Sequence, residues 1–203
     1  MLKQIINKLF YNPYKFIKKH SNIKVSDTVI LLKSCTFRFD GKVKNNKVSI
    51  GDNSMVGCSF VFESDEGEIN VGNNSYIGGG TTLISRNNIS IGNNVTIAWG
   101  CTLYDHNSHS LDYIERQKDI ERQNNDYRNG RNFISSKDWS VVKSKPIIIE
   151  DNVWIGFDSV ILAGVTVGEG SIIGARSVVR HNVEPWTVVA GNPAVVIKRL
   201  RDE

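Results

Sequence analysis

Residues 149–179 read IEDNVWIGFDSVILAGVTVGEGSIIGARSVV, and every sixth position is aliphatic: Ile149, Ile155, Ile161, Val167, Ile173 and Val179. Gly156, Gly168 and Gly174 each follow one of them. Toward the N-terminus the same step joins Ile91, Ile97 and Leu103, then Val71, Ile77 and Leu83, then Ile50, Val56 and Phe62. A period of six fits neither the helical repeat of about 3.6 nor the alternation of an isolated strand. It fits a short strand, a sharp bend, and another short strand on the next face of a triangular prism. Every sixth side chain then points inward and stacks in columns from coil to coil. Gly and Asn at residues 51–53, 72–74 and 92–94, with Asp151 and Asn152, suit such corners, where positive φ is cheap for glycine and asparagine.

Three hexads make an 18-residue coil. Ile50 to Val71 is 21 residues and Val71 to Ile91 is 20, so each coil carries a small corner insertion. Ile91 to Ile149 is 58, one coil plus 40, so a long loop at about residues 104–145 interrupts the repeat. The expected architecture is an all-β solenoid, a parallel β-helix over residues 25–200. Residues 1–24 form a separate segment in which Leu2, Ile5, Ile6, Leu9 and Phe10 fall at helical spacing between lysines. This predicts an amphipathic helix, ended or kinked by Pro13, that docks on the bottom of the prism or touches a membrane surface. After Gly191-Asn192-Pro193 the sequence predicts a short basic helix over residues 194–201.

Composition narrows the function classes. The chain has 203 residues, 40% of them hydrophobic, with 17 glycines against 4 prolines, which suits a fold of many tight corners. A net charge of +4 is too mild to demand nucleic acid. The first 25 residues hold six lysines (Lys3, Lys8, Lys15, Lys18, Lys19, Lys24) and no acid. Cys35, Cys58 and Cys101 are far apart and odd in number, which predicts reduced, buried thiols. The start lacks a signal-peptide pattern, and no stretch approaches the ~20 apolar residues of a membrane span. A cytoplasmic location is expected.

A regular prism has no pocket of its own, so chemistry is expected where the repeat breaks. The break begins Tyr104-Asp105-His106-Asn107-Ser108-His109-Ser110-Leu111-Asp112 and holds two of the chain's four histidines. His109 falls 18 residues after Ile91, where the next inward aliphatic would stand. Histidine is the side chain best matched to taking a hydroxyl proton near neutral pH and returning it to a leaving thiolate. Asp105 and Asp112 could orient its ring or stabilise its cation. Solvated polar filler and half of a metal site are the competing readings of an H-x-x-H pair.

The run Trp99 to Leu103 followed by D-H-N-S-H-S-L-D, the block Ile149 to Gly156, and the ending Val189-Ala190-Gly191-Asn192-Pro193-Ala194 resemble the hexapeptide-repeat acetyltransferases. The likeness is to galactoside, maltose and polysaccharide O-acetyltransferases and, more distantly, to streptogramin acetyltransferases, over about residues 48–200. The resemblance implies a left-handed coil, a homotrimer, acetyl-CoA as co-substrate without a metal, and a sugar, nucleotide-sugar or glycan acceptor. It implies His109 as general base, beginning an H-x-L run, with His106, Asp105 and Asp112 toward the acceptor. Its CoA contacts, carried over in register, fall on Phe157, Ala175, Arg180, His181 and Lys198. The sugar acetyltransferases' acceptor-binding asparagine and aspartate align with Gly78 and Arg86, and an arginine of their last helix with Val195, so the acceptor departs from a simple galactoside. N-acetylation of a nucleotide-linked amino sugar is the alternative. A zinc carbonic anhydrase, which needs three convergent histidines, and a non-catalytic solenoid are weaker readings.

Overall fold

The computed structural model describes residues 11–200. Within them three sheets, parallel except for the last strand of one, form the faces of a prism. The first contains β1 (Ile23–Val25), β4 (Lys47–Ile50), β7 (Glu68–Val71), β10 (Asn88–Ile91), β13 (Ile147–Ile149) and β16 (Thr166–Val167). The second runs through β2 (Ile30–Leu31), β5 (Met55–Val56), β8 (Tyr76–Ile77), β11 (Thr96–Ile97), β14 (Trp154–Ile155) and β17 (Ile172–Ile173), ending on β19 (Thr187–Gly191) and β20 (Ala194–Arg199). The third holds β3 (Thr36–Phe39), β6 (Ser59–Phe62), β9 (Thr82–Ile84), β12 (Thr102–Tyr104), β15 (Val160–Leu162) and β18 (Val178–Val179).

Register puts the six-residue period into columns. Ile91 pairs with Ile149, Ile97 with Ile155, and Leu103 with Ile161. All six are essentially buried. Each fully buried aliphatic contributes about 1.5–3 kcal/mol, so the columns supply the main driving force for the coil. The pairing of Ile91 with Ile149 also fixes His109: the place 18 residues after Ile91 is filled by Ile149, and the histidine lies outside the column.

The corners divide the work between asparagine and glycine. Asn53, Asn74 and Asn94 take φ of 55° and Asn152 of 63°, at the same corner of successive coils. Gly72 serves close approach instead, since a Cβ there would stand 2.6 Å from the Gly92 carbonyl oxygen. Side chains stack alongside: Asn73 Oδ1 accepts from the Asp52 amide (2.7 Å), Asn93 Oδ1 from Asn73 (2.9 Å), and Asp151 Oδ1 from Asn93 (2.8 Å).

The two ends differ in outcome. Leu2, Ile5, Ile6, Leu9 and Phe10 lie outside the described residues. The helix that Pro13 was expected to end or kink lies in those same residues, while Pro13 itself begins a further short helix: α1 (Pro13–Ile17) is capped by Asn12 and has Pro13 in its first turn, where the missing N–H costs nothing. Phe16 of α1 stacks on Phe37 at 5.5 Å, and the Tyr14 hydroxyl takes the Leu31 amide (2.9 Å), so this turn covers the first coil. Residues 194–199, expected as a helix, form β20, antiparallel to β19. The run Val195-Val196-Ile197 is β-branched, stiff at χ1, and better suited to a strand than to a helix.

Cys35, Cys58 and Cys101 are free and buried, and burial pushes the Cys35 thiol up to about 12. Among the described residues no helix is long and apolar enough to cross a membrane.

Candidate active site

The insertion leaves the prism between β12 and β13. Its stem is a short antiparallel contact: the Asn107 amide donates to the Lys143 carbonyl (3.0 Å) and the Lys145 amide to the Asp105 carbonyl (2.9 Å). Rather than an open loop, the insertion carries α2 (Tyr113–Arg128) and a 3-10 turn at Trp139–Val141. Asp112 caps α2, accepting from the Ile114 amide at 2.9 Å. The buried residues of this polar helix are Asp119 and Asp126, seven positions and therefore about two turns apart on one face. Asp126 accepts from Ser136 (amide 2.7 Å, hydroxyl 2.9 Å), and Asp119 binds the next residue, Lys137. Two buried carboxylates thus pin the returning strand of the insertion to α2.

The histidine pair splits into two environments. His109 keeps 45% of its side chain exposed, and its Nδ1 lies 2.7 Å from Asp119 Oδ2. An ionised carboxylate only accepts, so Nδ1 donates and Nε2 carries the lone pair. Lys137 Nζ donates to the same Asp119 oxygen and lies 3.4 Å from His109 Nδ1.

The His106 side chain is wholly buried. The Ser108 amide, turned back by a φ of 63°, donates to its Nδ1 at 3.1 Å, which leaves the ring proton on Nε2. That atom has no hydrogen-bond partner and faces Glu63 Oε2 at 3.7 Å. Tyr104 and Trp139 meet the ring edge-on at 4.6 and 5.6 Å. Burial first, then the positive charges of Arg86 and Lys137, push the His106 imidazole down to about 4. It is a neutral structural ring near pH 7, not an exposed acceptor contact.

Asp105 and Asp112 do not orient His109; Asp119 does. Asp105 is fully buried and turned toward its own chain, accepting from the Ser85 hydroxyl (2.7 Å) and the Arg86 and Asn87 amides (2.8 and 2.9 Å). It clamps the preceding corner and has no surface for an acceptor. Arg86, aligned with a sugar-binding position, reaches Ser144 Oγ (3.4 Å) and lies over Trp139, bracing the stem. Sequence reasoning missed Asp119, Lys137, Glu63 and Trp139.

Beside this network is a cleft of about 580 Å³ between the insertion and two prism corners, walled by Trp139, Lys137, Ile134, Glu63, Asp65 and Lys44. Glu63 is oriented by the Tyr104 hydroxyl (3.0 Å). Lys137 belongs to both the cleft and the His109 network.

The positions expected to hold CoA fall on separate edges. Phe157 and Ala175 follow β14 and β17 at one corner, where the Arg176 amide donates to the Phe157 carbonyl at 2.8 Å. Phe157 is 45% exposed, with the Arg176 guanidinium 5.8 Å from its ring centre. Arg180 and His181 are exposed beyond β18, on the edge from which the insertion departs, and Lys198 lies on β20. Among the described residues no group of three or more His, Cys, Asp or Glu could hold a metal.

A family model for the bacterial transferase hexapeptide (six repeats) matches residues 146–181. A chloramphenicol acetyltransferase of Agrobacterium fabrum is 45% identical over 56 residues, 28% of this chain and 27% of that protein. The chain matches less than a third of the length of such curated relatives. A hexapeptide-repeat-containing acetyltransferase from Vibrio cholerae O1 biovar eltor, solved with acetyl coenzyme A, is 30% identical, with 81% of this chain and 73% of that one covered and a TM-score of 0.54. A variant of AntD, an N-acyltransferase from Bacillus cereus solved with dTDP and coenzyme A, shares the fold at 20% identity, covering 95% and 91% of the two chains with a TM-score of 0.67.

Proposed function

The chain belongs to the hexapeptide-repeat acetyltransferases, and from that premise we propose that it moves an acetyl group from acetyl-CoA to a hydroxyl of a sugar or polysaccharide precursor. The observation that carries the reading is the His109–Asp119 pair: an exposed ring with Nδ1 tied to a buried carboxylate and Nε2 free to accept. His109 Nε2 takes the proton of the acceptor hydroxyl as its oxygen attacks the thioester carbonyl. When the carbon–sulfur bond breaks, the same nitrogen returns the proton to the departing sulfur, and no acyl-enzyme forms. Asp119 holds the tautomer and steadies the imidazolium that forms in between.

The acceptor enters the cleft beside Lys137, meeting Trp139 and Glu63, and His106 acts on it only by facing Glu63. Phe157 and Ala175 flank the thioester arm of CoA, while Arg180, His181 and Lys198 meet its phosphates. Phe157 and Arg180 stand on different prism edges, which supports a homotrimer: edges of two copies facing each other bring both groups to one CoA. The left-handed winding also rests on the family likeness. A second reading rests on Glu63: of the cleft's three carboxylates Asp65 is paired with Lys44 (2.6 Å) and Asp40 with Arg38 (3.0 Å), while Glu63, held less closely by Arg38 (3.4 Å), suits an amine acceptor such as a nucleotide-linked amino sugar.

The deciding experiment incubates purified protein with acetyl-CoA and a panel of free sugars, glycan fragments and nucleotide-linked amino sugars. Free thiol release and NMR of the product are followed. An O-acetyl ester supports the first reading and an N-acetyl amide the second. Thiol release no faster than hydrolysis across every acceptor class contradicts both.

A further inference from the structure

The basic residues of a 40-residue polar insertion would ordinarily keep their charges in water, because burying an ammonium without a partner is costly. Lys137 does the opposite: its side chain is 3% exposed. Its Nζ donates to Asp119 Oδ2, lies 3.4 Å from His109 Nδ1, and stands 5.2 Å from the centre of the Trp139 ring. Nδ1 already donates to Asp119, so it cannot accept from Lys137. Toward the ring the ammonium therefore acts as a charge rather than as a hydrogen-bond donor.

We propose that Lys137 is a positioning residue for acyl transfer: it fixes Asp119, and with it the His109 ring, and sets a positive charge beside that ring while Nε2 stays open. The inference rests on the reading of His109 as the base. The charges add up as follows. With a neutral ring, Asp119 and Lys137 cancel; with a protonated ring, the cluster carries one net positive charge at close range. Without Lys137, Asp119 alone faces the ring and favours the imidazolium, the form that cannot take a proton. Lys137 also lies over Trp139, so one side chain links the wall of the cleft to the orientation of the base. Of the other charged groups nearby, Arg116 of α2 is tied to the Ser110 and Leu111 carbonyls (2.9 and 2.8 Å).

The test is an NMR titration of the His109 imidazole, alongside pH profiles of kcat/KM, in wild type, Lys137→Met and Lys137→Arg. In Lys137→Met the ring's midpoint is expected to rise by about one pH unit, and the acid limb of kcat/KM to move up with it. Lys137→Arg, which keeps the charge, is expected to stay near wild type in both. An unmoved midpoint in Lys137→Met overturns the proposal, as does a Lys137→Arg protein displaced as far as Lys137→Met. A moved midpoint with an unmoved rate profile upholds the action of Lys137 on the ring and counts instead against His109 as the base. Because the titration reads the ring directly, the two failures are distinguishable.

Discussion

His109 Nδ1 lies 2.7 Å from Asp119 Oδ2, joining a ring at the mouth of the insertion to a carboxylate in the buried face of α2. The pair is formed entirely within the insertion, so the prism supplies a platform and the insertion supplies the chemistry. Replacing Asp119 by Asn keeps the shape but lets the ring adopt the wrong tautomer. Asp119→Asn is expected to lower kcat by about 100- to 10,000-fold with little change in KM for acetyl-CoA. Steady-state kinetics with both substrates varied checks this.

His106 makes stability depend on pH. Its folded value of about 4 lies below the ordinary 6.5, so the unfolded chain binds more protons between those values. Stability from this group is therefore intact above about pH 6.5 and falls as pH drops toward 4, by at most about 3 kcal/mol. Urea denaturation at a series of pH values should show a shallower acid decline in His106→Gln than in wild type.

The cofactor face is tested by charge removal. Arg180→Ala with Lys198→Ala is expected to weaken CoA binding by about 1–3 kcal/mol. Calorimetric titration of CoA into the double variant measures it, and unchanged affinity would move the phosphates elsewhere.

Light scattering at micromolar concentration should give the mass of three chains. If Phe157 and Arg180 act on one CoA from different copies, a monomer would be inactive as well as small. A mixed assembly of Phe157→Ala and Arg180→Ala chains, at acetyl-CoA below saturation, should then recover part of the activity by which each variant falls short alone.

The columns from Ile50 to Val179 were legible because each inward residue depends only on a fixed count along the chain. The corner asparagines were legible too, since their backbone demand is local. Asp119 and Lys137 were not, because they meet His109 only when α2 packs beside it and the following segment returns, at separations of 10 and 28 residues that no repeat encodes. His106 and His109 look alike in sequence, four residues of one polar run. Their difference arises from Ser108, whose amide turns back to His106, and from the walls of Tyr104 and Trp139. At the C-terminus, basic residues at 198, 199 and 201 suggested a helix end, while the β-branched run at 195–197 carried the stronger signal. Pro13 suits the first turn of a helix as well as the end of the one before it, so α1 had no separate signal.

The most direct measurement is the turnover of His109→Ala with acetyl-CoA and the acceptor identified by the panel. A sugar hydroxyl is a poor nucleophile at neutral pH, and loss of its proton acceptor is expected to slow transfer by about 100- to 10,000-fold. The fold and CoA affinity should persist, because Ile149 fills the core column and the CoA positions lie on other segments. His106→Ala should lose less. A His109→Ala protein that keeps more than about a tenth of wild-type turnover would contradict the account.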